Sequence, residues 1–333
     1  MKLVTYLSGN EERLAMLCGE LFYDIANLHP SLPSAMQSFL EGWDDFYTLA
    51  MQSKPTGTGI PPDNVTLLSP IPRPRSLRDG YAFRQHVAAA RRNRGVDMIA
   101  AFDEFPVFYF GNHLSVQGPG DIHCMPDHFE KLDYELECAV LICRKGTNIP
   151  AAQADRYIGG LMIMNDMSAR TLQMEEMQLN LGPAKGKDFS SVLGPWLVTT
   201  DELQVYETSC KPGHTGKSWN LQMTAAVNGI LLSKGKLSDM DWTFAELIER
   251  ASYGVTLYPG DVIGSGTVGT GCLLELNGTG KREDPQYKEK WLRPGDKVDM
   301  EITGLGKLHN TIIPQSTPWS ILNQKKTYVT ATL

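Results

Sequence analysis

The chain has 333 residues, of which 42% are hydrophobic and 21% charged, a composition typical of a globular protein with a sizeable core. Its formal net charge of −7 argues against nucleic acid or an anionic membrane surface as a general partner. The sequence has no uninterrupted run of about 18 apolar residues, so it predicts no transmembrane helix.

The first 72 residues are predicted to form a small N-terminal α/β domain. The segments "KLVTYL" and "RLAMLCGELFYDIANL" are typical of strands, and the second is expected to turn at Cys18-Gly19-Glu20. The following "LPSAMQSFLEGWDDFYTLAMQ" has helical periodicity. The Pro- and Gly-rich "GTGIPPDNVTLLSPIPRPRS" then indicates an extended connection to a larger unit.

Residues 73–333 are predicted to form a mostly β domain of the α+β class. "YAFRQHVAAARR" favours a helix with Asp79 and Gly80 as its start signal, and "YELECAVLI" and "YIGGLMIMND" favour strands. Asn228-Gly229 predicts a hairpin, "TFAELIERAS" a short helix, and two Pro-Gly-Asp turns lead into further strands. The glycine-rich "GSGTVGTG" is expected to be a substrate-side loop between strands, with no helix after it.

The N-terminus and the cysteines indicate a cytoplasmic protein. Charged residues occur too early for the apolar core of a signal peptide. The six cysteines lack paired spacing, which favours reduced thiols over a zinc site or a disulfide framework.

Three carboxylates share one face of the strand "LDYELEC", where Asp133, Glu135 and Glu137 alternate with apolar residues. Such an arrangement is repulsive unless a hard cation such as Mg²⁺ or Ca²⁺ binds there, although a solvent-facing edge strand would show the same pattern. Asp166 ends the apolar run "GGLMIMND", and a carboxylate there is costly unless it is paired or binds a metal. His86 follows Asp79 by seven residues, a spacing that would place both on the same face of a helix. A histidine on the helix surface is the simpler alternative.

An ordered set of motifs extends this pattern: "RDGYAFRQH", "DYELE", "MNDMSAR", "GKDF", "PGDVIGSGTVGTG" and "PGDKVDMEITGLGKLHN". From about residue 70 onward the chain thereby resembles the fumarylacetoacetate hydrolase family, and within it the fumarylacetoacetase branch. The resemblance implies a mixed β-sandwich roll with a small N-terminal domain, assembled as a homodimer.

The resemblance also implies the site residues. Asp79, Glu135, Glu137 and Asp166 match the family's ligands to Mg²⁺ or Ca²⁺, and His86 with Glu275 matches its proton-transfer pair. The substrate-contacting residues match Tyr81, Tyr109, Arg170, Gln173, Lys187 and Thr267.

The predicted function is metal-dependent hydrolysis of a carbon–carbon bond in a 1,3-diketo acid such as fumarylacetoacetate, as in tyrosine degradation. His86, oriented by Glu275, would activate water, the cation would stabilise the enolate, and Arg170, Gln173 and Lys187 would donate to the oxyanion. A lyase on the same scaffold, of the oxaloacetate decarboxylase or 2-keto-4-pentenoate hydratase type, is the alternative. A cation-binding relative without activity is a third. One arginine of "ARRNRG" (90–95) could reach a substrate carboxylate, although a solvated helix end explains this run equally well.

Overall fold

Strands dominate the computed structural model, which describes residues 1–326. The helices are α1 (Met36–Glu41), α2 (Trp43–Gln52), α3 (Arg84–Asn93), α4 (Ala151–Ala154), α5 (Arg170–Met177), α6 (Phe244–Ser252) and α7 (Leu273–Glu283). The strands are β1 (Lys2–Ser8), β2 (Glu11–Cys18), β3 (Leu21–Asp24), β4 (Thr66–Leu67), β5 (Ser76–Gly80), β6 (Phe108–Gly111), β7 (Val116–Gln117), β8 (Gly120–Cys124), β9 (Leu132–Asp133), β10 (Leu136–Ile142), β11 (Gly146–Thr147), β12 (Ile158–Asp166), β13 (Ser168–Ala169), β14 (Ser191–Thr199), β15 (Glu207–Thr208), β16 (Ser218–Trp219), β17 (Gln222–Val227), β18 (Ile230–Lys236), β19 (Thr256–Leu257), β20 (Asp261–Gly264), β21 (Lys297–Ile302) and β22 (Gly306–Pro314). The predicted α+β class is confirmed.

Two sheets form the framework. The larger has the strand order β3-β2-β1-β14-β12-β10-β20-β5-β6, and it is mixed because β20 and β5 run parallel while most other pairs are antiparallel. The smaller has the order β18-β17-β21-β22-β8 and packs on one face of β10, β12 and β14. Helices α1 and α2 cover the other face, so β10 and β12 are buried on both sides.

The side chains of β10 alternate as the sequence predicts. Cys138 and Val140 lie in the core shared with the smaller sheet, whereas Ala139 and Leu141 pack with Phe39 beneath the N-terminal helices. Burial on both faces explains why the strand is apolar throughout after Glu137.

The N-terminal residues extend the larger sheet. Strand β1 pairs with β14, and the core beneath α1 and α2 includes residues of both segments, such as Leu3 and Met162. The predicted domain boundary between residues 72 and 73 therefore falls within a continuous sheet, and it stays a prediction. The end of the predicted second domain, residues 327–333, lies outside the described residues.

Most predicted elements of the chain are confirmed. The turns at Gly19 and at Asn228-Gly229 have the positive φ angles of tight hairpins, +59°, +52° and +78°. All six cysteines are free thiols. Within residues 1–326, no helix has the length and apolarity needed to cross a membrane.

Two predictions about helix boundaries are wrong. Asp79 and Gly80 end strand β5 instead of starting a helix; α3 begins at Arg84, whose backbone N–H donates to Asp241. A helix, α7, does follow the glycine-rich loop. Its first backbone N–H groups, of Leu273 and Leu274, donate to the Asp133 carboxylate at 2.7 and 2.9 Å, a helix cap from a distant part of the chain.

Candidate active site

A cavity of about 620 Å³ opens beside the ends of β5 and β10 and between helices α3, α5 and α7. All but two of the predicted site residues line it. The lining set is Asp79, Tyr81, His86, Tyr109, Glu135, Arg170, Gln173, Lys187, Thr267 and Glu275. The other two, Glu137 and Asp166, are buried next to these residues and contact Thr267 and Lys187, respectively.

Three of the four predicted metal ligands converge. Oxygen atoms of Asp79, Glu135 and Glu137 lie within 4.8 Å of one another, and all three residues are buried. Strand β20 separates β5 from β10, and its residue Gly264 has no side chain to fill the space between the carboxylates. A Cβ at Gly264 would lie 2.4 Å from Asp79 Oδ1 and 3.2 Å from Glu137 Oε2, so glycine is needed for the carboxylates to meet.

The electrostatics of this cluster fit a divalent cation. Burial holds the pKa of Glu137 well above its ordinary value, and the negative charge of Asp79 is the second cause. Burial also raises the pKa of Asp79 to about 7. Glu137 Oε2 has no hydrogen-bond partner within residues 1–326. An unpartnered buried oxygen and an oxygen-only ligand set suit Mg²⁺ or Ca²⁺.

The fourth predicted ligand, Asp166, lies outside this three-carboxylate cluster. Its Oδ1 accepts a hydrogen bond from Ser191 at 3.1 Å, and its Oδ2 accepts from Lys187 at 2.9 Å and from the Tyr109 hydroxyl. The Lys187 ammonium also contacts Glu135, so it joins Asp166 to the cluster. Lys187 thus links Asp166 to the cluster, and the role of Asp166 as a fourth ligand stays a prediction.

Arg170 is held in a buried ion-pair network. It donates to Asp133 at 2.8 and 2.6 Å and to Glu135 at 2.8 Å, and to the Gln173 side chain at 3.0 Å. Burial opposes ionisation of Glu135, yet the charges of Lys187 and Arg170 lower its pKa to about 2. Glu135 is therefore a carboxylate at neutral pH.

Asp133, the third carboxylate of the predicted acidic face, lies in the interior of the protein. Its side chain is completely buried and accepts hydrogen bonds from Arg170 and from the first turn of α7. It positions the helix that carries Glu275. Its acidic neighbours in sequence gave no sign of this role, because both partners are distant along the chain.

His86 and Glu275 form a close pair across α3 and α7. His86 Nδ1 lies 2.7 Å from Glu275 Oε2, and Glu275 Oε1 accepts the backbone N–H of Thr270 at 3.0 Å. Both residues are buried, so His86 is not a surface histidine. Because Nδ1 is engaged, Nε2 is the ring nitrogen left for exchanging a proton with a molecule in the cavity.

Ser191, a residue beside the site, has no counterpart in the sequence-based prediction. It pairs with Asp166 across the sheet, and the methionines Met174 and Met177 line the cavity wall. Strand neighbours such as Ser191 become visible only when the register between β12 and β14 is known.

Magnesium binding is expected to weaken below pH 7. The cation needs Asp79 and Glu137 ionised, and their raised pKa values make protons compete for the same oxygens. For each ligand that must lose a proton, the apparent affinity for Mg²⁺ falls about tenfold for every pH unit below the pKa of that ligand. Calorimetric titration with Mg²⁺ at pH 6, 7 and 8 checks this, and an affinity that stays constant over that range would contradict it.

Comparisons with known proteins agree with this architecture. The family model described as fumarylacetoacetate (FAA) hydrolase C-terminal matches residues 75–313. Oxaloacetate tautomerase YisK of Bacillus subtilis is 34% identical over 255 residues, covering 74% of this chain and 73% of the relative. The mitochondrial oxaloacetate tautomerase Fahd2a of Rattus norvegicus is 29% identical over 295 residues, covering 87% and 83%. A crystal structure of 5-carboxymethyl-2-hydroxymuconate delta-isomerase from Mycobacterium smegmatis superposes with a TM-score of 0.65 at 25% identity, covering 95% of this chain and all of that one.

These relatives support the expected family but not the expected branch within it. They carry the names of tautomerases and an isomerase, whereas the motifs suggested fumarylacetoacetase. With a family model matching well over half of its length, the chain belongs to the fumarylacetoacetate hydrolase family.

Proposed function

We propose that this protein is a divalent-cation-dependent tautomerase that interconverts the enol and keto forms of oxaloacetate or a closely related 2-oxo dicarboxylate. The observation that carries the proposal is the His86–Glu275 pair facing the same cavity as the carboxylate cluster. The relatives named as oxaloacetate tautomerases favour this reaction over hydrolysis. Of the functions predicted from the sequence, the lyase alternative is the more similar one, because an oxaloacetate decarboxylase acts on the same substrate.

The reaction moves one proton between the oxygen on carbon 2 and carbon 3, and it breaks no carbon–carbon bond. His86 Nε2 delivers a proton to carbon 3 of the enol or removes it from the ketone, while Glu275 fixes the imidazole and stabilises its cationic form. Lys187, whose pKa its carboxylate neighbours raise despite burial, is a charged donor beside the developing enolate oxygen. When bound by the three clustered carboxylates, the cation supplies Lewis-acid stabilisation of the same negative charge.

Arg94 is the residue that we assign to the second carboxylate of the substrate. The cavity lining contains Arg94, Lys131, Arg170, Lys187 and Lys281. Arg170 and Lys187 are paired with site carboxylates, and Lys131 and Lys281 lie 3.8 and 2.6 Å from Glu289. Within residues 1–326, Arg94 forms no ion pair, and its Nε contacts only the backbone oxygen of Ala90. Its guanidinium is free to bind a carboxylate that enters the cavity.

The variant Arg94→Ala is expected to raise KM for oxaloacetate by roughly 10- to 100-fold, because it removes one hydrogen bond between charged groups. The value of kcat should change little. KM for enolpyruvate, which has a single carboxylate, should stay the same. Arg92→Ala is the matched control, since Arg92 lies in the last turn of α3, two residues before Arg94, and is not part of the cavity lining. Equal KM changes for both substrates, or for both variants, would refute the assignment.

Hydrolysis of a diketo acid is the second candidate, because a His–Glu pair can also activate water for attack on a carbonyl. Purified enzyme with Mg²⁺ should be given enol-oxaloacetate, keto-oxaloacetate, acylpyruvates and fumarylacetoacetate, and the products identified. Rapid ketonisation without formation of pyruvate or cleavage products supports the proposal. Cleavage of an acylpyruvate or fumarylacetoacetate as the only enzymatic reaction would replace it with the hydrolase, and release of pyruvate with CO₂ from oxaloacetate would replace it with the decarboxylase.

We also propose the homodimer and the cation, Mg²⁺ or Ca²⁺, as the family resemblance implies them. Sedimentation equilibrium tests the first, and metal-dependent activity tests the second.

A further inference from the structure

A buried thiol lies beside the His86–Glu275 pair. Cys272 immediately precedes α7 and lies three residues before Glu275. One ligand atom each of His86, Cys272 and Glu275 lies within 4.8 Å of the other two, and all three residues are buried. The proposed tautomerisation uses the histidine and the glutamate but has no role for the sulfur.

We propose that His86, Cys272 and Glu275 form a second metal site, which takes Zn²⁺ or a cation of similar softness and inhibits the enzyme. The ligand set of imidazole nitrogen, thiolate sulfur and carboxylate oxygen is the one that zinc prefers. The cluster of Asp79, Glu135 and Glu137 offers oxygen only and suits hard cations. The two sites therefore select different metals.

The spacing of the three ligand atoms requires only small movements. Ligands on a tetrahedral zinc ion at 2.0–2.3 Å lie about 3.3–3.8 Å apart, so side-chain adjustments of about 1 Å close the site. Helices α3 and α7, which carry His86 and Glu275, pack directly against each other. Because these two residues line the cavity, an ion can enter by the substrate's route, and the cavity side is left for a fourth ligand.

Binding at this site has defined chemical consequences. The S–H bond of Cys272 breaks, a zinc–sulfur bond forms, and the thiol proton passes to solvent. Zinc at His86 Nδ1 takes the place of the proton in the hydrogen bond to Glu275, and that proton moves to Nε2, which then has no lone pair to accept the substrate proton. Inhibition follows because the general base is lost, while Mg²⁺ stays bound to its own carboxylates.

The inhibition test uses enzyme saturated with Mg²⁺ and titrated with Zn²⁺, each variant being compared with its own uninhibited rate. Wild type is expected to lose at least nine-tenths of its activity, and Cys272→Ser and Cys272→Ala should each need at least tenfold more Zn²⁺ for the same loss. Cys138→Ala is the matched control, as Cys138 is equally buried but lies outside the cluster, and it should be inhibited like wild type. Equal inhibition of all variants, or resistance of wild type, would overturn the proposal.

A spectroscopic test needs no substrate and so stands apart from the proposed tautomerase activity. Adding Co²⁺ to the Mg²⁺-saturated protein should produce the near-ultraviolet absorption of a cobalt–thiolate bond in wild type and in Cys138→Ala. The band should be missing from both Cys272 variants. A band that survives in those variants, or its absence from wild type, would show that Cys272 does not bind the metal.

Discussion

Removal of the divalent cation is expected to abolish the activity and to lower the melting temperature. Without a cation, the buried carboxylates Asp79 and Glu137 repel each other and compete for protons. A ligand present at a hundredfold excess over its Kd stabilises the folded state by about 2.7 kcal/mol. EDTA treatment, followed by activity and thermal unfolding measurements with and without added Mg²⁺, checks both effects.

The variant Glu137→Gln removes one charge from the cluster while nearly preserving its shape. It should lose both the activity and the thermal response to Mg²⁺. Glu249→Gln, on helix α6 outside the cavity lining, is the control and should keep the metal response. Full activity in the EDTA-treated wild type would eliminate the metal from the proposed function.

Replacement of the proposed general base, His86→Ala, is expected to lower kcat by about 10²- to 10⁴-fold, the usual contribution of a positioned acid–base group. Mg²⁺ affinity should change little, since His86 is not one of the clustered carboxylates. Turnover and calorimetric metal titration on the same preparation separate the two effects.

A second His–Glu pair provides a matched control for this variant. His214 Nδ1 lies 3.1 Å from Glu246 Oε2, but neither residue lines the cavity. His214→Ala should therefore keep near-normal kcat. Unchanged turnover in His86→Ala would refute its role, and so would an equal loss in both variants.

The sequence predicted the strands that carry the site because their patterns are local. Alternation along "LDYELEC" placed Glu135 and Glu137 on one face, and Asn228-Gly229 specified its own hairpin. The family motifs then named the residues that the fold brings to one cavity, although these come from segments far apart in the chain.

What the sequence missed depends on contacts between distant segments. The sequence predicted no helix after the glycine-rich loop, because the Asp133 carboxylate that caps α7 lies about 140 residues earlier in the chain. The same contact explains why the Asp133 carboxylate is buried. The pairing of Asp166 with Lys187 and Ser191 likewise depends on sheet register, which no local pattern encodes.

The reaction was the least predictable feature. A His–Glu pair beside a carboxylate cluster can serve hydrolysis, decarboxylation or tautomerisation, since each passes through an enolate or a related anion. The difference lies in which bond faces His86, and in whether the cavity binds a second carboxylate through Arg94. Neither is encoded in the motifs that identify the family.

Proton NMR of oxaloacetate in D₂O with Mg²⁺ tests the central claim most directly. A tautomerase exchanges the hydrogens on carbon 3 with solvent deuterium, so their signal should disappear much faster with wild type than with His86→Ala, while no pyruvate accumulates beyond the enzyme-free rate. Exchange no faster than in the enzyme-free sample, or pyruvate appearing as fast as deuterium is incorporated, would contradict the proposed function.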